Sequence, residues 1–197
     1  MLRVISNVWP IRSANKRKDD GKQVFVNVYD MIEPCTLTNF GYFMGVGIFH
    51  SGIEVNGREY CYGGHPYDFS GVFVVEPKVG PPGVLFKQSI NMGYIDLEED
   101  KITELIQTLS GEYSGNSYNL LNRNCNHFTA DLCNRLTSKT IPGWINRAAK
   151  LGTMFPCVLP AEWVEPPECD CKPTPYRFIA KESKITQCLK NPSSYRR

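Results

Sequence analysis

The spacing of apolar residues changes about halfway along the chain. Up to about residue 95, apolar and polar residues alternate in short runs bounded by Gly and Pro, which predicts β-strands. Beyond that point apolar residues recur three and four positions apart, which predicts amphipathic helices. Strands that precede helices in this way indicate an α+β fold, with an antiparallel sheet against a helical half.

The first half contains one hairpin signal and three further strand signals. Asn56 and Gly57 separate two β-rich runs and predict a two-residue hairpin with a type I′ turn. Residues 24–31, 71–77 and 84–95 predict further strands. We expect the first of them to end at Glu33 and Pro34, and the Pro/Gly-rich stretch 80–83 to turn the chain between the other two.

Three helices are predicted in the second half. Asp96 and Glu99 have the spacing of a capping box at the start of the first helix, and Gly111 suits its C-terminal cap. Its apolar stripe consists of Ile102, Leu105, Ile106 and Leu109. A second helix is predicted within "LLNRNCNHFTADLCNRL", residues 120–136, and a third from near Pro142, which suits a first helical position.

The composition is that of one folded domain with irregular ends. The chain has 197 residues, of which 42% are hydrophobic, and its net charge of +2 gives no indication of a nucleic-acid partner. We predict a flexible N-terminus over residues 1–22, one domain over 23–165 and a flexible C-terminal tail over 166–197.

The N-terminal sequence has no unbroken apolar core typical of a signal peptide, and no run is long enough to span a membrane. We therefore expect a cytoplasmic protein, with the nucleus also open, and reduced thiols at its eight cysteines. Cys169 and Cys171 could form half of a zinc site, but no second ligand pair follows them. We predict neither a metal nor a cofactor.

Cys125 is the first candidate for chemistry. Asn124 is a good N-cap, which puts Cys125 at the first helical position. There the helix dipole is expected to lower the thiol pKa from about 8.5, and free N–H groups could stabilise an oxyanion. However, the buried helix face also includes Cys125, since Phe128, Leu132, Cys133 and Leu136 follow on the same side. On this helix alone, a nucleophile and a core thiol remain equally open.

Two histidines could serve as the base. His127 is two positions from Cys125 and so lies on a different helix face, where a capping role fits better. His50 lies in the hairpin, and continuing the strand register puts it opposite Gly63, with open space for a substrate chain. A locally bonded, half-buried histidine is the alternative for His50.

Two further residues near the hairpin need placing. Cys61 would lie diagonally from His50 and is a rival nucleophile, but no helix N-terminus supports it, which favours a core thiol. His65 follows in a loop, where it could line a cleft or orient a partner.

The stretches "VNVYDM", "GVGIFHSGIEVNGREYCYGGHPYDFSG" and "GNSYNLLNRNCNHF", followed by "IPGWINR", closely resemble the PPPDE superfamily. These are permuted-papain thiol peptidases that include the desumoylating isopeptidases (DeSI), and residues 24–163 look most similar to the type 2 branch. The resemblance implies a permuted papain-like fold, with His50 first and Cys125 later as a catalytic dyad. It also implies that Asn119, six residues before Cys125, helps to form the oxyanion hole.

The resemblance further implies a substrate class. Family members cleave the isopeptide bond after the C-terminal Gly-Gly of SUMO- or ubiquitin-type modifiers, so the expected partners are conjugated proteins. The hairpin register and the loop after it then favour Gly63 and His65 as residues beside the modifier tail. "NCNHF" is also similar to a motif of lecithin:retinol acyltransferase-like proteins, which leaves protein thioesterase or acyltransferase chemistry open. A non-catalytic module that binds ubiquitin-like modifiers is the remaining alternative.

Overall fold

A computed structural model describes residues 21–31, 47–154 and 177–179. Within these residues the strands form an antiparallel sheet in the order β5-β1-β2-β3-β4-β6. The strands are β1 (Lys22–Asp30), β2 (Phe49–Val55), β3 (Arg58–Tyr62), β4 (Val72–Val75), β5 (Leu85–Ile95) and β6 (Arg177–Phe178). The sheet and the helices that follow β5 confirm the predicted α+β class.

The hairpin between β2 and β3 has the predicted turn. Asn56 and Gly57 both have positive φ, at 52° and 68°, which a type I′ turn requires. Val55 pairs with Arg58 as expected, but the pairing ends at Ile53 and Tyr60. Beyond these residues the two strands separate, so one edge of β2 is open to another element.

The helices are α1 (Glu99–Glu112), α2 (Cys125–Thr137) and α3 (Arg147–Met154), with short 3-10 helices at Gly115–Ser117 and Gly143–Asn146. Helix α2 packs on one face of the sheet because alternate strand residues and one helix stripe are apolar. The buried core there includes Val26, Val28, Ile53, Phe128 and Leu132. This packing brings the N-terminus of α2 to β2.

Several of the predicted helix ends are wrong. Glu98 is the N-cap of α1 and has no side-chain capping bond, so Asp96 and Glu99 form no capping box. Gly111 lies inside the last turn, and Tyr113 is the C-cap. Pro142 precedes a 3-10 helix rather than the α-helix itself.

The predicted tail contains a strand, because β6 pairs with β4 through Phe178 and Phe73. The rest of this tail, with Cys169 and Cys171, lies outside the described residues, as do residues 1–20 and the strand end at Glu33 and Pro34. In the described part of the chain, no helix is long and apolar enough to cross a membrane.

Candidate active site

The N-terminus of α2 is fixed by a reciprocal cap. The Asn124 side chain accepts a hydrogen bond from the His127 N–H at 3.1 Å, and His127 Nδ1 accepts one from the Asn124 N–H at 3.1 Å. This capping box puts Cys125 at the first helical position, as predicted. It also confirms the capping role predicted for His127, since its Nδ1 is used by the backbone.

The second helical residue, Asn126, ties the helix to β2. Its Nδ2 donates to the Phe49 carbonyl at 2.9 Å, and its Oδ1 accepts from the Ser51 hydroxyl at 2.7 Å. The Thr129 hydroxyl donates to the Ser51 carbonyl at 3.0 Å. Phe49 and Ser51 flank His50, so these buried bonds hold the His50 backbone beside the helix that begins at Cys125.

The Cys125 thiol lies at the open edge of β2. The backbone N–H of Ser51 lowers the pKa of the Cys125 thiol, which indicates that this N–H faces the sulfur, and strand N–H groups point along the sheet. One edge of β2 is paired with β1 at Ser51 and Val28, so the sulfur occupies the other edge, where β3 has separated.

Burial dominates the acidity of this thiol. The Cys125 residue is 2% exposed, and burial raises its pKa to about 11. Hydrogen bonds from the Ser51 N–H, the Tyr118 hydroxyl and the N–H groups at the start of the helix offset only part of this rise. The predicted lowering of the pKa by the helix N-terminus is therefore wrong for this conformation, because desolvation outweighs the donors.

His50 lies on the face of β2 that meets Tyr29 of β1. The two residues are paired, and their ring centroids are 6.1 Å apart. His50 is 7% exposed, and its buried Nε2 has no hydrogen-bond partner among the described residues. Burial lowers the pKa of His50 to about 4, so the ring is neutral at pH 7. At rest, the imidazole and the thiol are therefore both neutral at pH 7.

Tyr29 links His50 to a buried carboxylate on the same face. Its hydroxyl donates to Glu59 at 2.8 Å, and Asn27 Nδ2 donates to the same oxygen at 2.6 Å. The Cys61 thiol donates to the other Glu59 oxygen at 3.6 Å. Burial raises the pKa of Glu59 despite these donors. The pKa of Cys61 is raised well above its usual value. Burial is the largest cause, and the charges of Glu59 and Cys125 raise the pKa further.

Gly63 does not pair with His50, because the β2–β3 pairing has already ended. Its N–H donates instead to the Gly71 carbonyl at 3.0 Å. A Cβ at Gly63 would meet Phe73 Cε1 at 3.2 Å. The Phe73 ring therefore occupies the space beside Gly63 that we expected to be open. A role for Gly63 at the substrate stays a prediction.

The Asn119 side-chain oxygen accepts hydrogen bonds within its own turn. Its Oδ1 accepts hydrogen bonds from the backbone N–H groups of Leu121 at 3.0 Å and Asn122 at 2.9 Å. These bonds shape the loop that leads to Cys125. A contribution of the Asn119 amide to an oxyanion hole stays a prediction.

His65 holds two loops together. Its Nδ1 accepts from the Tyr67 N–H at 3.3 Å, and its Nε2 lies 3.1 Å from the Ser70 carbonyl, to which it donates in the matching tautomer. A Cβ at Gly115 would lie 2.2 Å from the His65 ring, so the ring packs directly on that glycine. Both ring nitrogens therefore have structural partners, and a direct role for His65 at the substrate stays a prediction.

Sequence reasoning missed Asn126 and Tyr118. Asn126 could have been noticed as a polar residue in the buried first turn of α2, where its neighbours Cys125 and Phe128 are also buried. No local pattern marks Tyr118, whose hydroxyl lowers the pKa of Cys125.

Comparison with known proteins shows the family to which the chain belongs. The model of the "PPPDE putative peptidase domain" matches residues 22–163. The chain is 45% identical over 137 residues to a DeSI-like protein of Arabidopsis thaliana, covering 70% of this chain and 59% of that one. It is 47% identical over 149 residues to the desumoylating isopeptidase 1 homolog of Caenorhabditis elegans, covering 73% and 44%.

A third relative, the DeSI-like protein sdu1 of Schizosaccharomyces pombe, is 35% identical over 137 residues, covering 69% of this chain and 68% of that one. This chain therefore belongs to the PPPDE peptidase family, within its DeSI-type members. The matched part spans only about half the length of the plant and nematode relatives.

Proposed function

We propose that the protein is a cysteine isopeptidase that removes SUMO or ubiquitin from conjugated proteins, with Cys125 as nucleophile and His50 as base and acid. The observation that carries the proposal is a buried thiol at a helix N-terminus that buried hydrogen bonds tie to the strand residues on either side of His50, whose Nε2 has no partner among the described residues. An unpartnered buried nitrogen is costly and is typical of a group that binds a proton during a reaction.

The neutral resting pair determines how the reaction starts. His50 would take the Cys125 proton as the sulfur attacks the isopeptide carbonyl carbon, and the carbonyl electrons would move to its oxygen. Collapse of this intermediate breaks the C–N bond, and His50 returns the proton to the leaving lysine amine. Water then attacks the thioester with His50 again as base, which releases the modifier and restores the thiol.

The relatives support the choice of substrate. Two of them are named DeSI-like proteins and another is named a desumoylating isopeptidase 1 homolog. A modifier tail that ends in Gly-Gly needs only a narrow channel to a buried thiol, because glycine has no side chain. A permuted papain-like arrangement of the chain and assignment to the type 2 branch belong to the same proposal.

Labelling with modifier probes tests the function. Full-length protein is incubated with ubiquitin and SUMO that carry a C-terminal electrophile, and the modified cysteine is found by mass spectrometry. We expect one probe to modify Cys125, with no adduct in Cys125→Ser and a strongly slowed reaction in His50→Ala. Circular dichroism of each variant shows whether it is folded.

The alternative functions give different results. If neither probe labels Cys125 while a fluorogenic palmitoyl thioester is hydrolysed, the protein is a thioesterase and the isopeptidase proposal fails. Binding of a modifier without any adduct or cleavage would indicate a non-catalytic module. An adduct on Cys61 would move the site to the other thiol.

A further inference from the structure

Cys125 lies between two buried asparagines, and both of them bond to the same side chain. Asn124 is 3% exposed and Asn126 is 4% exposed. The Nδ2 of Asn124 donates to Asn146 Oδ1 at 2.9 Å, and the Nδ2 of Asn126 donates to the same oxygen at 3.3 Å. The Asn146 amide nitrogen lies 3.4 Å from Nδ1 and 3.2 Å from Nε2 of His127. One side chain therefore contacts the residues on both sides of Cys125 and the histidine of the cap.

The Asn146 oxygen fixes the direction in which each of the two amides points. An asparagine amide accepts hydrogen bonds at its oxygen and donates them from its nitrogen. The Asn124 oxygen accepts from the His127 N–H at 3.1 Å, and the Asn126 oxygen accepts from the Ser51 hydroxyl at 2.7 Å. Turning either amide around would place its oxygen against Asn146 Oδ1 and break the bonds at both ends. The cap and the bond to β2 are thus held in one arrangement by a shared acceptor.

Asn146 itself belongs to an element that packs on β2. It ends the 3-10 helix Gly143–Asn146. In this helix the Trp144 ring packs edge-on against the Phe49 ring, with centroids 5.0 Å apart and planes at 87°. Phe49 directly precedes His50, so the short helix contacts the strand that carries the candidate base. Through Asn146 the same helix contacts the tip of α2, which carries the candidate nucleophile.

We propose that Asn146 is a positioning residue for the reaction of Cys125. By accepting from both flanking amides, it holds the tip of α2, and with it the sulfur, in place relative to His50. It acts through Asn124 and Asn126 and takes no part in proton transfer. This inference rests on the proposed function in that Cys125 and His50 form the dyad, and it does not depend on which modifier is cleaved.

The proposal predicts an effect on the chemical step. A base must come within about 3 Å of the atom whose proton it takes, and misplacing a reacting group by about 1 Å can slow a reaction about 100-fold. Binding of the modifier does not require this proton transfer. Loss of the Asn146 oxygen should therefore lower kcat and leave KM largely unchanged.

The test uses two substitutions at Asn146 and a matched control. Asn146→Ala removes the oxygen that both amides contact, whereas Asn146→Asp keeps an accepting oxygen at that position. The control, Asn116→Ala, removes an asparagine from the other 3-10 helix, where its Oδ1 accepts from the Ser114 hydroxyl at 2.9 Å. The full chain and each variant are assayed for kcat and KM with fluorogenic C-terminal amides of ubiquitin and SUMO. Each variant is compared at its own pH optimum, because the carboxylate introduced by Asn146→Asp shifts that optimum.

We expect Asn146→Ala to lower kcat about 100-fold with KM within about twofold of wild type, and Asn146→Asp to recover at least about tenfold of this loss. The control should keep the wild-type kcat. A kcat of Asn146→Ala within about threefold of wild type would overturn the proposal. So would an unchanged loss in Asn146→Asp, or an equal loss in the control. If circular dichroism shows that Asn146→Ala is unfolded, Asn146→Ser, whose hydroxyl has a shorter reach, takes its place in the same comparison.

A substrate without a modifier separates this proposal from the isopeptidase function. p-Nitrophenyl acetate can acylate Cys125 with His50 as base, and Cys125→Ala provides the background. If this ester acylates Cys125 while neither modifier amide is cleaved, the isopeptidase function fails. Asn146→Ala and Asn146→Asp are then compared by their acylation rates, with the same expected loss and recovery. If the wild type shows no acylation above the background, Cys125 is not a nucleophile and the Asn146 proposal fails with it.

Discussion

Cys125 and Cys61 are two buried thiols, and Cys125 contributes to the raised pKa of Cys61, yet the two have opposite surroundings. Donors converge on Cys125: the Ser51 N–H, the Tyr118 hydroxyl and the first N–H groups of α2. Cys61 lies instead against the Glu59 carboxylate, to which its own thiol donates. Burial opposes the thiolate at both sites, so burial alone does not identify a nucleophile. The groups nearest to the sulfur do identify the nucleophile. N–H and O–H donors stabilise developing negative charge, whereas a carboxylate opposes it.

The largest expected difference between the two thiols is the effect of their substitution on catalytic activity. Cys125→Ser should lower kcat/KM for isopeptide cleavage by at least about 1,000-fold, because a serine hydroxyl is a much weaker acid and a poorer nucleophile than a cysteine thiol. Cys61→Ser should stay within about threefold of wild type, because its hydroxyl can still donate to Glu59. Cleavage of a fluorogenic modifier conjugate measures both variants. A loss in Cys61→Ser equal to that in Cys125→Ser would remove the distinction between the two thiols.

The pH dependence of alkylation compares the same thiols without a substrate. A raised pKa keeps Cys125 protonated below about 11, so its alkylation by iodoacetamide should rise about tenfold per pH unit between pH 7 and 9. Cys61 should react more slowly at every pH. Mass spectrometry of each cysteine peptide follows the rates, with circular dichroism to verify folding. A rate for Cys125 that levels off below pH 9 would show that the donors outweigh burial.

Glu59→Gln removes the carboxylate that the Cys61 thiol contacts. Glu59 raises the pKa of Cys61 and is not among the causes of the pKa shift of Cys125, so the substitution changes the electrostatics of Cys61 and not of Cys125. The variant removes a buried charge while keeping an oxygen that accepts from Asn27 and Tyr29. Because the folded-state pKa of Glu59 is raised, the carboxylate costs stability once the pH exceeds that pKa. We expect a gain of about 1 kcal/mol at pH 8 and none at pH 4, where Glu59 is largely protonated.

Urea unfolding at the two pH values measures this gain. Cys61 alkylation should become faster in Glu59→Gln, while that of Cys125 stays the same. Lower stability at pH 8 would mean that the charged form is favoured by its donors, and the contrast between the two thiols would then need another cause.

The smallest effect is expected for His127→Ala, which removes one of the two bonds of the cap at the helix that presents Cys125. Loss of a cap costs about 1 kcal/mol, and substantial activity should remain because His127 is not the base. Asn124→Ala, which removes the other half of the cap, is the matched comparison. Stability comes from urea unfolding and kcat/KM from the fluorogenic conjugate. A loss of activity as large as that of His50→Ala would make His127 the base after all.

The local features of this fold were readable from the sequence. Asn56-Gly57 specified a turn because both residues tolerate positive φ, and Asn124 specified the start of α2 because its side chain can bond to the third helical N–H. The ends of α1 were not readable, since Asp96, Glu99 and Gly111 have capping chemistry but lie where the tertiary fold does not use it.

The candidate dyad illustrates what the sequence could not determine. The sequence singled out His50 and Cys125 by residue type and by resemblance, and it determined that one lies on a hairpin strand and the other at a helix tip. Only the tertiary structure decided what surrounds them, through bonds such as that from Asn126 to Phe49, 77 positions earlier in the chain. Burial, the pKa directions and the approach of Tyr118 depend on such distant contacts, because desolvation is a property of the packed molecule and not of any segment.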